Sequence, residues 1–253
     1  MLRFSIVIPS LNQGRFIGET LSSIAGQNYP AVEVIIRDGG STDDTAAVVK
    51  GFGPLVTAFV SESDNGQSDA LNRGFAQATG DIFGWMNADD HYLPGAFAEA
   101  ARIFEANPAV TVVYGNWVTI DEAGHPIRSH YALKARTPHF SYENLDSYNQ
   151  ALFWRREAHE RFGRFDENLH RLMDDDLILA LLLNEGPARF RRSTGPSRPS
   201  KRRKSRSSSA ARASFPPRPG SLSRPWRNGT GPLWGRRSTA KGLSTRPTRC
   251  PSA

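Results

Sequence analysis

The chain has 253 residues, 38% of them apolar, which is enough for one large domain or for a domain and a tail. Its single cysteine, Cys250, excludes an internal disulfide framework and any cysteine-based metal cluster. The net charge of +7 hides an asymmetry: Met1 to Glu185 carries 14 Lys+Arg against all 25 Asp+Glu, whereas Gly186 to Ala253 carries 18 Lys+Arg and no acid.

The opening "MLRFSIVIPSLN" has an apolar run too short for a signal segment or a membrane span, and Pro9 interrupts it. A soluble, cytoplasmic chain is expected, with room for peripheral association at the inner face of a membrane. "FSIVIP" reads as a buried, β-branched strand. In "RFIGETLSSIAGQ", Phe16, Ile17, Thr20, Leu21 and Ile24 recur at helical spacing. "VEVIIRD" is a second strand, and "GGSTDD" supplies turn and capping residues for the helix "TAAVVKGF". "LVTAFVSE" is a third strand and "QSDALNRGFAQA" a third helix, with Gly80 expected as its closing glycine. "DIFGWM" is a fourth strand, and "PGAFAEAARIFEAN" a fourth helix with Pro94 in its first turn. "TVVYGNWVTID" is expected as one strand, turned back by "DEAGHP". Beyond it, "NQALFWRREAHERFGRFDENL" suggests a strand into a short helix, and "DDDLILALLLNEG" a helix with Asp174 to Asp176 at its start, where acids complement the dipole.

Strands alternating with helices predict an α/β fold: a mostly parallel sheet with helices on both faces. In such sheets ligands bind beyond the carboxyl ends of the strands. Ser10 and Asn12 follow the first strand, Asp38 the second, Glu62 and Asp64 the third, and Asn87, Asp89 and Asp90 the fourth. All are delivered to one edge, which is rich in carboxylates. "NADD" after a strand suits a hard divalent cation such as Mg or Mn, held by one or two carboxylates and completed by phosphate oxygens and water. The alternative for Asp89 or Asp90 is a cap on the helix that follows Pro94. Asp38, beside two glycines that permit close approach, could accept hydrogen bonds from a base N–H or a ribose hydroxyl. Asp43 and Asp44 read as turn and cap residues.

These ordered motifs, "FSIVIPSLNQGRFIGETLSSIAGQNYPAVEVIIRDGGSTDDT" and then "SESDNGQSDALNRGFAQATGDIFGWMNADD", resemble the inverting family 2 glycosyltransferases over roughly residues 2 to 186. The resemblance implies the GT-A nucleotide-diphospho-sugar fold, a nucleotide-diphosphate sugar donor (UDP-linked), a divalent cation and an acceptor hydroxyl in glycan or cell-envelope polysaccharide synthesis. It places Pro9 beside the nucleobase, Asp38 on the base, and Asp69 of "GQSDALNRG" where the nucleotide pocket continues. It makes Asn87 the first position of the family's Asp-x-Asp motif and Asp89 the metal-binding second. Asn87 departs from the strict motif: an amide can meet a ribose hydroxyl but brings no charge. Asp90 is then either a supporting group or the cap. The layout of "GRFDENLHRLMDDDLILALLL" makes Asp174 the general base that takes the acceptor proton, with Asp176 as runner-up. The "LWLRL" that family members carry is "LILALL" here, so an expected arginine on the acceptor side is missing.

His91, His125, His130, His139, His159 and His170 form no i, i+4 zinc pair, and neither a G-x-S-x-G elbow nor a P-loop occurs. The glycosyltransferase domain is expected over 1–190. Residues 191–253, rich in Ser, Pro, Arg and Gly, read as a disordered basic tail. Its abrupt onset fits either a shifted reading frame or a natural tail. "KRRKSR" would attract polyanions without specificity, since no nucleic-acid-binding motif accompanies it. A truncated, impaired homologue or a nucleotide-sugar binding protein with a polyanion-binding tail is the competing reading.

Overall fold

The computed structural model describes residues 1–121, 125–132, 135, 151–169 and 172–193; the basic tail lies outside them from residue 194 on. Strands β1 (Phe4–Ser10), β2 (Val32–Asp38), β3 (Ala58–Ser61), β4 (Ile82–Trp85), β5 (Val112–Tyr114), β8 (Leu152–Arg155) and β9 (Phe190–Arg192) form one sheet in the order β3-β2-β1-β4-β8-β5-β9. β1, β2, β3 and β4 are parallel neighbours, and β9 lies parallel to β5. β8 runs antiparallel to both β4 and β5.

The two-residue period of a strand sends alternate side chains to opposite faces, and each face finds its own helices. Phe4, Ile6, Ile8, Val34, Ile36 and Phe153 join the core formed with α1 (Gly14–Ala25), α2 (Thr45–Gly51) and α4 (Ala96–Ala106). Val7, Ile35, Phe83, Trp85, Leu152 and Trp154 join the opposite core with α3 (Gln67–Phe75), α5 (Arg156–Phe162) and α6 (Met173–Glu185). The expected layering is therefore observed. Among the described residues no helix is long and apolar enough to cross a membrane.

Three local expectations are corrected. The stretch Thr111 to Asp121 is two strands: after β5 the Asn116 Oδ1 accepts the Ala132 N–H at 2.7 Å, and the chain leaves the sheet. It then forms a separate hairpin, β6 (Trp117–Ile120) against β7 (Pro126–His130). Pro94 lies outside α4, whose cap is Gly95 at φ +84°. Gly80 does not close α3, which ends at Phe75. A Cβ there would lie 2.6 Å from Ser5 Oγ and 2.8 Å from the Arg3 carbonyl, so the glycine is needed for close approach to β1.

The two edges of the parallel strands differ. At the amino edge buried Glu33 accepts hydrogen bonds from the Ser5 hydroxyl and the Thr79 N–H and hydroxyl, with Arg3 beside it. The carboxyl edge instead opens into loops lined with polar groups.

Candidate active site at the carboxyl edge of the sheet

Register brings the ends of the first three strands into one row: Ser10 lies opposite Asp38, and Asp38 opposite Ser61. Asp38 is 2% exposed. Its carboxylate accepts the Ser41 N–H at 2.9 Å, the Ser41 hydroxyl at 2.5 Å and the Ser61 hydroxyl at 2.6 Å. Burial pushes its pKa up, but the hydrogen bonds from Ser41 and Ser61 outweigh that and hold the carboxyl below its usual range. It is an anion at neutral pH, and any further contact must use the lone pairs these hydroxyls leave. Pro9 is buried within β1, in register with Arg37.

The loops after β1 and β2 are stitched together. Asn12, at φ +52°, accepts the Thr42 N–H at 2.9 Å, and its own N–H goes to Ser41 Oγ at 2.7 Å. Asp43 accepts the Gly14 N–H at 2.9 Å, satisfying one open donor at the start of α1. Asp43 is thus a capping group for α1, and its other oxygen accepts the Thr45 N–H at 3.0 Å at the start of α2, the helix its sequence context pointed to. A Cβ on Gly14 would fall 2.9 Å from the Thr45 backbone nitrogen and displace the Asp44 carboxylate, so glycine suits this close approach.

The "NADD" loop is clamped by α1. Thr20 donates to the Ala88 carbonyl at 2.8 Å, Ser23 Oγ accepts the Tyr92 N–H at 3.0 Å, and Gln27 donates to the Leu93 carbonyl at 3.0 Å. Asn87 stands at the centre of a second set. Its Oδ1 accepts from Trp85 Nε1–H at 3.0 Å and from Gln67 Nε2 at 2.8 Å, while its Nδ2 donates to Asp90 Oδ2 at 3.1 Å. Asp90 is fully buried. Asp89 between them is exposed, and no hydrogen bond or ion pair among the described residues engages its carboxylate.

Helix α3 brackets this edge to the segment that follows α5. Asp69 accepts the Asn65 N–H at 2.9 Å and Arg73 Nε–H at 2.7 Å, so both its oxygens are engaged within α3 and the loop before it. Ser68 donates to Met173 Sδ at 3.0 Å, tying the start of α3 to the start of α6. Asn72 donates to the Phe165 carbonyl and accepts the Phe165 N–H, both at 2.9 Å. Asp174 and Asp175 are half-buried in the first turn of α6 and Asp176 is exposed; the Asp174 side chain accepts the Asp175 N–H at 3.1 Å. Leu172 precedes them in the left-handed region at φ +63°. Two hydrogen bonds and the peptide bond between Gln67 and Ser68 therefore connect Asn87 to the helix that carries Asp174.

Gln67, Ser68, Trp85 and Ser61 are not singled out by the sequence, and Thr20 enters it only as a position on a helix face. Gln67 had one available signal, its place beside Asp69 in "GQSDALN"; the others looked like ordinary strand or helix positions.

Among the described residues no group of three or more His, Cys, Asp or Glu converges as a protein-only metal cage. A cation of the magnesium or manganese kind does not demand one, since it retains waters and takes phosphate oxygens. One uncommitted, exposed carboxylate at Asp89 fits that chemistry.

The architecture is the GT-A fold. It matches S. aureus TarS in complex with UDP at a TM-score of 0.62 and 19% identity, covering 85% of this chain and 60% of that one. It also matches a mannosyltransferase from Pyrobaculum calidifontis in complex with GDP-Man and Mn2+, at 0.55 and 23%, covering 78% and 58%. At those identities the likeness is one of fold. Residues 5–165 match the model for glycosyl transferase family 2, and the chain belongs to that family. An uncharacterised glycosyltransferase of Nostoc is 29% identical over 131 residues, 48% of this chain and 41% of the relative, so the matched stretch is less than half of that protein.

Proposed function

We propose that the chain is a metal-dependent, inverting glycosyltransferase that moves a hexosyl-type sugar from a nucleotide-diphosphate donor, UDP-linked, to an acceptor hydroxyl of a glycan or cell-envelope polysaccharide. The observation that carries this is Asp89: an exposed, unengaged carboxylate on a loop whose neighbouring polar groups are committed to holding it. Asp38 supplies an anion for the nucleotide's base, and Pro9, Asp69 and Asn87 belong to the walls and supports of the same edge. A divalent cation held at Asp89 would offset charge on the departing diphosphate. TarS in complex with UDP supports the choice of nucleotide, and the Pyrobaculum enzyme with GDP-Man and Mn2+ supports a nucleotide-diphosphate sugar and a divalent metal.

The acceptor hydroxyl attacks the anomeric carbon from the side opposite the diphosphate. As the new C–O bond forms, the bond to the diphosphate oxygen breaks and its electron pair leaves with the nucleotide. The hydroxyl proton passes to Asp174, half-buried in the first turn of α6. The work is cytoplasmic in this reading, with the basic tail drawing the chain to anionic surfaces at the inner membrane face.

The test is sugar release or transfer by the full chain across a panel of nucleotide sugars, with and without Mn2+. Activity with one donor should need the cation and fall by at least about a hundredfold in Asp89→Ala, the range expected when an electrostatic contact to the transition state is removed. An Asp89→Ala variant as active as the parent would refute the assignment.

A further inference from the structure

Position 87 is where a fully charged motif would place a second acid, and the surroundings of Asn87 explain the amide. The Asn87 side chain must both accept and donate: Trp85 Nε1–H and Gln67 Nε2 arrive at Oδ1, and Nδ2–H is directed at Asp90 Oδ2. Asp90 is 0% exposed, so its carboxylate depends on protein donors in place of water. A carboxylate at position 87 would keep the two bonds to Oδ1 but set two acids about 3 Å apart in a buried place, where like charges oppose ionisation. The Asp90 N–H also returns to the Asn87 carbonyl at 3.1 Å, closing the turn that presents Asp89.

We propose that Asn87 is a positioning residue and not a metal ligand, and that Gln67 and Asn87 together form an amide latch that aims Asp89 at the diphosphate. Gln67 opens α3, and the next residue, Ser68, reaches Met173 beside Asp174. The latch thus fixes the metal-binding loop against the same helix end that holds the segment of the general base. This rests on the metal-dependent reading above.

A metal-ligand role and a positioning role predict opposite signs for one substitution. Mn2+ is titrated calorimetrically into the full chain with saturating UDP, and the melting temperature and the Trp85 indole N–H resonance are recorded for each variant. Asn87→Asp should weaken Mn2+ by about tenfold, as loss of an orienting partner behind a ligand does, and lower the melting temperature. Asn87→Asp with Asp90→Asn reverses the donor and acceptor and should recover most of both. Gln67→Ala, at an exposed helix start, should weaken Mn2+ severalfold and shift the Trp85 resonance while leaving the melting temperature unchanged. Tighter Mn2+ binding in Asn87→Asp, or a swap no better than the single variant, overturns the inference. If those arms fail while the parent binds Mn2+ and Asp89→Ala does not, the donor-site reading stands and only the latch falls. A parent that binds no Mn2+ overturns both.

Discussion

At the scale of single residues, His159 is the group whose environment most clearly sets a pH response. It packs against Phe75 and Phe83 at ring distances of 4.6 and 5.2 Å and accepts Trp154 Nε1–H at 3.4 Å. Burial, only partly countered by the Glu160 charge, lowers its pKa to about 4. An unfolded histidine titrates near 6.5, so between these values the unfolded chain binds the proton that the folded chain refuses. Stability from this source is complete above about 6.5 and is lost as pH falls toward 4. Urea midpoints at pH 7 and pH 5 should therefore differ less in His159→Gln than in the parent. Below that window Glu33, Asp38 and Asp43, all depressed, add a second loss as each is protonated. The positions of Asp38 and Asp89 at the carboxyl edge were legible because Asp38 ends one recognisable strand and Asp89 follows another. The bond from Gln67 to Asn87 was not, because it joins the start of α3 to a loop 20 residues on and depends on how α3 sits on the sheet.

Elements were readable where periodicity was strong. Val32–Asp38 was read with its observed bounds, and α1 differs by one residue at its start and two at its end. Where an apolar run served two structures the only mark was small: Thr111 to Asp121 is β-prone except at Gly115 and Asn116, weak strand formers, and there the chain passes from the main sheet to a hairpin. The contact of α3 with the sheet shows how closely elements are fitted. A Cβ on Gly74 would lie 2.4 Å from Val7 Cγ1 and 3.3 Å from Arg37 Cγ. Alanine is the better helix former by up to about 1 kcal/mol. Overpacking against a buried strand costs about 1–3 kcal/mol and should win. Gly74→Ala is expected to lower the melting temperature, and a rise would show that α3 can move off β1.

For the whole molecule, charge divides what packing does not. All 25 acids precede Gly186, and 18 of the 32 basic residues follow Glu185. A chain ending at Ser193 should keep Mn2+-dependent UDP binding and lose retention on a polyanion column in moderate salt. If the shortened chain no longer binds UDP, the tail belongs to the donor site. The order of strands has one more consequence, for how the protein is made. β4 and β5 never touch in register; β8, Leu152–Arg155, is laid between them in reverse. A growing chain that has completed β1 to β4 must therefore carry an unpaired apolar border through about seventy further residues, or roughly 4–14 s of synthesis. During that interval the nascent sheet is open to strand capture by a neighbour, so yield in a cell should depend on chaperone supply and elongation speed more than the stability of the finished fold would suggest.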